Sequence, residues 1–291
     1  MALRPRALMG AAALCVTAFL LMLALAYGSP GARSLDASGL QGFLGLQRPL
    51  ITPITEAISG LGDAAPVGAM ALILAGVAFA RGRPRVSLLV LLLVGATSVS
   101  SQLLKALLAY PRAGGAGFAR VDPAAFPSGH ATASMALAIA LVIVMPPRLR
   151  SAAAVLGSTL ALGVSFSVVS MGWHFPSDVI GGYLLAAGWA LVLLAGLRAA
   201  ADRFPERAGR SALARRSRAT VERVAGVSLV VGLMATLAAC TAVVTVVVAF
   251  RLPAAVDYAW EHAGFVLVAA LLSASAVGML GGLTRTLARR G

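Results

Sequence analysis

Eight apolar runs constrain the fold of this chain more than any other feature. Each approaches or exceeds the roughly 20 residues that a helix needs to cross a bilayer, and they cover residues 8–27, 64–80, 86–109, 129–145, 151–171, 179–197, 224–250 and 264–283. The chain is 59% hydrophobic and only 12% charged, a balance far from that of a soluble domain. The sequence therefore predicts an all-α integral membrane protein with eight transmembrane helices.

The cations are distributed unevenly between the segments that join these runs. With the N-terminus inside, 18 of the 24 cations fall in inner segments, and six fall outside: Arg33, Arg48, Lys105, Arg112, Arg120 and Arg251. Short loops rich in Lys and Arg stay in the cytoplasm, so both termini are predicted to be cytoplasmic. The same loops account for the net charge of +14 through contact with an anionic leaflet, without a nucleic-acid partner.

The runs divide the chain into three parts. Residues 1–200 hold six predicted spans, residues 201–223 form an Arg-rich cytoplasmic linker, and residues 224–291 form a two-helix hairpin with no recognisable chemical motif. Residues 28–63 are punctuated by Gly and Pro and are predicted to form an outer loop. Within that loop, residues 48–61 mix apolar and polar side chains, which is consistent with a short helix lying in the interface.

Polar residues gather at the predicted outer ends of the spans. Lys105, the one lysine beside 23 arginines, lies near the outer end of the third span, and Arg112 follows it by seven residues. The tetrapeptide at residues 127–130, Pro-Ser-Gly-His, opens the fourth span. The connection between the fifth and sixth spans supplies His174 and Asp178. The predicted topology places all these segments on one side of the membrane.

This set of side chains is suited to phosphoryl transfer. Ser128 and Gly129 begin a helix, where free backbone N–H groups and the helix dipole favour an anion. A lysine and an arginine nearby would hold a phosphoryl group. One imidazole could attack phosphorus while a second protonates the leaving oxygen, and an aspartate could orient the first. No carboxylate cluster suggests a metal site, and the two cysteines, Cys15 and Cys240, lie inside apolar runs; we expect metal-independent chemistry without a cofactor.

The three segments resemble those of the type 2 phosphatidic acid phosphatase (PAP2) superfamily. The family pattern is K-x6-R-P, then P-S-G-H, then S-R-x5-H-x3-D. The chain has the first Lys and Arg at the family spacing, the second motif in full, and Ser167, His174 and Asp178 at the third spacing. Three motifs in order at helix ends form a much more specific pattern than any one of them.

The resemblance implies a fold and a set of roles. It implies a six-helix core over residues 1–200 with the site on its outer side, followed here by the two-helix hairpin. It makes His174 the nucleophile, Asp178 its partner and His130 the general acid. The implied phosphate pocket consists of Lys105, Arg112, Ser128 and Gly129.

Two positions depart from the family pattern. Ala113 replaces the proline of the first motif, and Val168 replaces the arginine of the third. The second change removes a guanidinium that would make charge-assisted hydrogen bonds to phosphate. Arg120, in the adjoining outer loop, is a candidate replacement.

Each site residue also has a structural interpretation. Lys105 and Arg112 could be snorkelling cations, Ser128 an N-cap, and Asp178 an acid favoured by the helix dipole.

Taken together, the motifs favour an enzyme that removes phosphate from a lipid at the outer leaflet of a bacterial cell membrane. Polyprenyl pyrophosphate, phosphatidylglycerophosphate and phosphatidate are the candidate substrates of such a cell-envelope phosphatase. The alternatives are a lipid phosphotransferase and a catalytically weak lipid-phosphate binder or carrier.

Overall fold

The computed structural model describes residues 5–109, 121–203 and 252–288, and this part of the chain is helical without strands. The all-α fold class predicted from the sequence is confirmed. The helices are α1 (Pro5–Gly28), α2 (Pro30–Leu44), α3 (Thr52–Gly60), α4 (Ala64–Ala80), α5 (Pro84–Leu107), α6 (Gly129–Val144), α7 (Arg150–Ser170), α8 (Pro176–Arg203), α9 (Leu252–Glu261) and α10 (Ala263–Ala288).

Five helices of the described residues are long and apolar enough to cross a bilayer. They are α1, α5, α7 with the turn before it, α8 and α10. Helices α3 and α4 would make a sixth span if the 50° bend between them lies within the membrane. Of the other predicted spans, 129–145 corresponds to the short helix α6, and 224–250 lies outside the described residues. The chain is a multi-pass membrane protein, and the count of eight spans stays a prediction.

Helix α6 lies at the centre of the bundle. Thirteen of its 16 residues are buried, and it contacts α4, α5, α7, α8 and α10. Small side chains allow this close packing, because a Cβ atom at Gly157 of α7 would lie only 2.8 Å from Cβ of Ala138. A helix surrounded by protein does not need the full thickness of the bilayer, which explains how a 16-residue segment fits here.

The predicted outer loop contains more structure than the sequence indicated. Helix α3 falls within the stretch expected to form an interfacial helix, but the interpretation of residues 30–44 as loop was wrong. Helix α2 begins with Ser29 as N-cap, whose Oγ accepts from the N–H of Ala32, and with Pro30 in its first turn, both strong helix-start features. Its inner face carries Asp36, Leu40 and Phe43.

Helix α10 packs on the core rather than standing apart from it. It contacts α2, α6, α7 and α8. Two glycines of α2 make room for it, since a Cβ atom at Gly39 would lie 2.9 Å from Val268 and one at Gly42 would lie 2.4 Å from Phe265. The described part of the C-terminal segment therefore holds α2 against the bundle.

Candidate active site

The connection from α7 to α8 places His174 beside Asp178. Gly172, two residues after the end of α7, has φ 75°, a left-handed conformation that glycine adopts without strain. The Trp173 N–H donates to the Val168 carbonyl at 3.0 Å. His174 is 6% exposed and Asp178 is fully buried. His174 Nδ1 lies 3.5 Å from Asp178 Oδ2. That distance is longer than a hydrogen bond but within the range of an ion pair.

Backbone contacts fix the Asp178 carboxylate. Its Oδ2 accepts a hydrogen bond from the Phe175 N–H at 2.8 Å, and α8 begins at Pro176, where the missing N–H costs nothing. The backbone carbonyl of Asp178 accepts from the Ser128 N–H at 3.0 Å. The second and third motifs are therefore joined directly.

Ser128 and Gly129 start α6 next to this pair. Ser128 Oγ accepts from the Ala131 N–H at 3.3 Å, so its side chain is an N-cap, as the structural interpretation proposed. The α8 residue Gly182 allows the close approach, because a Cβ atom there would lie 2.8 Å from the Ser128 carbonyl oxygen. The amino end of α6 thus faces the His174 turn.

Lys105 brings a cation to the same point. A Cβ atom at Gly129 would lie 3.8 Å from Lys105 Nζ, which places the ammonium at the start of α6. Asp178 and Asp122 are close enough to interact with it electrostatically. A positive charge and the first N–H groups of a helix are therefore adjacent, and both favour an anion.

His130 lies across the site, on the first turn of α6. Its ring is 5.8 Å from that of Trp173, measured between centroids, and it interacts electrostatically with His174 and Lys105. Its Nε2 lies 3.0 Å from Oδ1 of Asp63. Asp63 occupies the bend between α3 and α4, with 62% of its side chain exposed, and the sequence analysis missed it. The one indication in the sequence was an acid directly before an apolar run at the outer end.

A second missed carboxylate supports the start of α8. Asp36 of α2 is 8% exposed; its Oδ1 accepts from the Ser177 N–H at 3.0 Å and its Oδ2 accepts from the Ser177 hydroxyl at 2.5 Å. Ser177 precedes Asp178, so Asp36 caps α8 from a helix 141 residues away in sequence. The scarcity of acids, ten in 291 residues, was the only feature that singled it out.

The remaining candidates fall in two groups. Arg112 and Arg120 lie outside the described residues. Val168 is fully buried, and its carbonyl accepts a hydrogen bond from the N–H of Trp173, the residue before His174.

Across residues 5–109, 121–203 and 252–288, no group of three or more His, Cys, Asp or Glu is placed to hold a metal ion.

The six candidates that the structure describes meet at one end of the bundle, and this region matches a known family. The family model that matches residues 65–201 of the chain is described as PAP2 superfamily. Residues 65–201 belong to the PAP2 superfamily. The PAP2 region runs from α4 to α8 and contains all three motifs, whereas Asp36 and Asp63 lie before its start.

A solved structure supports the same fold for a larger part of the chain. The chain is similar to the crystal structure described as the first transmembrane PAP2 type phosphatidylglycerolphosphate phosphatase from Bacillus subtilis, with 22% sequence identity and a TM-score of 0.55. The alignment covers 67% of this chain and 98% of that one. No curated protein matches the chain significantly.

Proposed function

We propose that the protein removes a phosphate from a lipid at the outer leaflet, without a metal ion and through a phosphohistidine intermediate. The observation that carries this proposal is the buried pair of His174 and Asp178, with Nδ1 and Oδ2 3.5 Å apart, next to Lys105 and the amino end of α6. Membership of residues 65–201 in the PAP2 superfamily supports a phosphatase.

In the first step, His174 attacks phosphorus. Because Nδ1 faces Asp178, the proton belongs on Nδ1, and Nε2 carries the lone pair that forms the P–N bond. Asp178 then stabilises the imidazolium that results. The bond between phosphorus and the lipid oxygen breaks, and His130 donates a proton to the leaving oxygen.

In the second step, water replaces the enzyme nitrogen. His130 takes a proton from the water as its oxygen attacks phosphorus, the P–N bond breaks, and inorganic phosphate leaves. Lys105 and the N–H groups at the start of α6 hold the negative charge that the phosphoryl oxygens carry throughout. Arg112 and Arg120 would add guanidinium contacts.

The position of the site suggests the class of substrate. It lies at the ends of apolar helices, where a lipid headgroup would meet the protein, and the distribution of cations supports the outer face for this end. Phosphatidylglycerophosphate, polyprenyl pyrophosphate and phosphatidate all present a terminal phosphate there. The first of these matches the described substrate of the similar Bacillus subtilis protein.

Val168 favours one alternative. With valine where the family has arginine, the pocket lacks one guanidinium, and a protein that binds lipid phosphate with little turnover is the second candidate function. A phosphotransferase would use the same phosphohistidine with an acceptor other than water.

Phosphate release from a panel of the three lipids by the purified protein tests the proposal. We expect release by the natural protein, and loss on the order of 10³-fold or more in His174→Ala, as for removal of other nucleophiles. His262→Ala is the matched control, since His262 is exposed and stacks on Tyr258 rather than on a motif residue. An acid-labile phosphoprotein should form with the natural protein and not with His174→Ala.

Three other results would contradict the proposal. Saturable lipid binding without phosphate release would favour the binder. Transfer of label to an added alcohol in place of release would favour the phosphotransferase. Undiminished release by His174→Ala would remove the phosphohistidine mechanism.

A further inference from the structure

The bend between α3 and α4 lies directly against the ring of His130. Gly62 is buried in this bend, and a Cβ atom there would lie 2.8 Å from Cδ2 of His130 and 3.0 Å from Cγ1 of Val164. The next residue, Asp63, places its Oδ1 3.0 Å from Nε2 of His130. A glycine that allows close approach and a carboxylate that bonds the ring therefore come from the same bend.

The Asp63 side chain does not act as a helix cap. Asp63 is the N-cap residue of α4 and has the extended backbone of such a residue, but its carboxylate makes no capping hydrogen bond. Aspartate is preferred at this position because its side chain accepts from the N–H groups of the first helical turn. The carboxylate is turned to His130 instead, so helix capping does not account for the contact.

The charges around His130 come from several elements. Lys105 of α5, His174 of the turn after α7 and Asp63 of the bend all interact with it electrostatically. The Trp173 ring packs beside it, with 5.8 Å between the ring centroids. Lys105 and a protonated His174 oppose a positive charge on His130, whereas a carboxylate favours it. Among the described residues that act on His130 in this way, Asp63 is the only carboxylate.

We propose that Asp63 positions His130, the general acid, so that the site contains a second His–Asp pair beside the one formed by His174. This inference rests on the proposed function and adds a residue to it. Asp63 lies two residues before the PAP2 region of residues 65–201. The pair therefore joins the second motif to a part of the chain that the family model does not match.

The orientation of the His130 ring determines which nitrogen transfers the proton. Asp63 accepts from Nε2–H, and Nδ1 exchanges protons with the substrate, which is the arrangement by which an aspartate orients a histidine in hydrolase triads. In the first step, Nδ1–H of the imidazolium gives its proton to the lipid oxygen as the bond from that oxygen to phosphorus breaks, and the ring becomes neutral.

The second step restores the charge on the ring. Nδ1 of His130 takes a proton from the attacking water while the P–N bond to His174 breaks, and the Asp63 carboxylate stabilises the imidazolium that forms. The Nε2 proton stays between His130 and Asp63 in both steps. Asp63 thus touches neither phosphorus nor the leaving oxygen in this mechanism, and its effect passes through His130.

The test compares Asp63→Asn with Glu56→Gln. Each variant removes one carboxylate from the pair of helices α3 and α4 and keeps the shape of the side chain. Glu56 is exposed and is not among the described groups that act on His130, so Glu56→Gln is the matched control. Asp63→Glu keeps the carboxylate and serves as the conservative variant. Asp63 is 62% exposed, so none of these changes requires repacking of the core.

Two kinds of substrate separate proton donation from phosphate binding. Phosphatidate and phosphatidylglycerophosphate release an alkoxide that needs a proton, whereas 4-nitrophenyl phosphate releases a phenolate that is stable without one. The ratio kcat/KM is compared because it reports transition-state stabilisation relative to free enzyme and substrate.

We expect a loss that depends on the leaving group. With the lipid substrates, Asp63→Asn should lower kcat/KM about 10²-fold, at the lower end of the range for general acid catalysis, and Asp63→Glu should recover part of the loss. With 4-nitrophenyl phosphate, the loss should stay under about threefold, because proton donation contributes little there. Glu56→Gln should match the natural protein with both kinds of substrate.

A second measurement does not depend on activity. The chain has three histidines, so NMR of the full chain in detergent with ¹³C-labelled histidine gives three ring signals. The signal present in both His174→Ala and His262→Ala is that of His130. This ring should titrate at a lower pH in Asp63→Asn than in the natural protein or Glu56→Gln, because its imidazolium form loses the carboxylate.

Three outcomes would overturn the proposal. Equal losses with both kinds of substrate would show a role in phosphate binding or folding. A kcat/KM of Asp63→Asn equal to that of Glu56→Gln would show no role in the reaction. An unchanged titration of His130 in Asp63→Asn would show that the pair does not form in solution. Absence of phosphate release by the natural protein would instead overturn the proposed function and with it the catalytic part of the inference, while the titration still shows whether Asp63 acts on His130.

Discussion

Removing the carboxylate of Asp36 should lower turnover of the proposed phosphatase without abolishing folding. Asp36 makes two hydrogen bonds to Ser177, and Ser177 is followed by Asp178, whose carboxylate faces His174. The two hydrogen bonds described for Asp36 go to Ser177, not to His174 or Asp178. Its expected role is to position the start of α8.

The size of the effect follows from those two bonds. In Asp36→Ala, the N–H and hydroxyl of Ser177 lose their acceptor inside the protein, at a cost of about 1–3 kcal/mol each. Part of that cost is offset because a buried carboxylate no longer has to be desolvated, so we expect a net loss of about 2–3 kcal/mol in the free energy of unfolding. Asp36→Asn keeps one acceptor oxygen and should lose about half as much.

The effect on activity should exceed what stability alone predicts. A displacement of about 1 Å in a catalytic group can cost roughly 10²-fold in rate. We therefore expect kcat to fall about 10²-fold in Asp36→Ala, with KM nearly unchanged because the phosphate pocket stays intact. Asp36→Asn should recover part of kcat.

The control is a variant that is destabilised at another position of α8. The Tyr183 hydroxyl donates to the Ala161 carbonyl and to Ser165 Oγ, both buried. Tyr183→Phe should lose about 1 kcal/mol and keep its kcat. Thermal unfolding and steady-state kinetics are measured on all three variants well below their midpoints.

Two results would refute this role of Asp36. One is a kcat of Asp36→Ala within about threefold of the natural value, because a displaced catalytic group should lower kcat by roughly 10²-fold. The other is an equal fall in Tyr183→Phe, which would trace the loss to general destabilisation.

Three further predictions concern the chemistry, the leaflet and the missing arginine. Phosphate release should survive EDTA and be inhibited by vanadate, because cationic and N–H ligands suit a trigonal-bipyramidal anion; strict Mg²⁺ dependence would contradict the mechanism. A cysteine in Ala116→Cys should react with an impermeant thiol reagent added outside, and one in Ala212→Cys should not; opposite labelling would invert the leaflet assignment. Arg120 is the candidate replacement for the guanidinium that is absent at Val168. If it has that role, Arg120→Ala should lower kcat about 10²- to 10³-fold. Val168→Arg should then change kcat little, or lower it by crowding a fully buried position. Faster turnover in Val168→Arg with a neutral Arg120→Ala would instead exclude Arg120 from the site.

The sequence predicted the helices that hydropathy defines. The run at 86–109 corresponds to α5 at Pro84–Leu107, and the run at 129–145 corresponds to α6 at Gly129–Val144. Successive spans alternate direction, so motifs at alternate ends meet at one face. This is why the meeting of Lys105, Ser128 and His174 could be predicted without knowing any contact.

Long-range contacts were not predictable in the same way. Helix α2 contains Gly, Ser and Asp with little apolar character, and it is held by α10, which lies more than 200 residues later in the sequence. Asp36 and Asp63 act on partners 141 and 67 residues away. No local pattern marks such residues, because their partners are set by tertiary packing.

The charge balance at the candidate site gives Arg112 and Arg120 their importance. Four carboxylates at this end have partners: Asp36 binds Ser177, Asp63 binds His130, Asp122 accepts from the Ala124 N–H, and Asp178 accepts from the Phe175 N–H. These negative charges nonetheless oppose the entry of a phosphate. Among the motif cations, the structure describes Lys105 alone, and a single ammonium beside a helix start offsets only part of that repulsion. We therefore expect Arg112 and Arg120 to supply further positive charge when a doubly charged phosphoryl group binds, and Arg120→Ala measures how much of that charge Arg120 supplies.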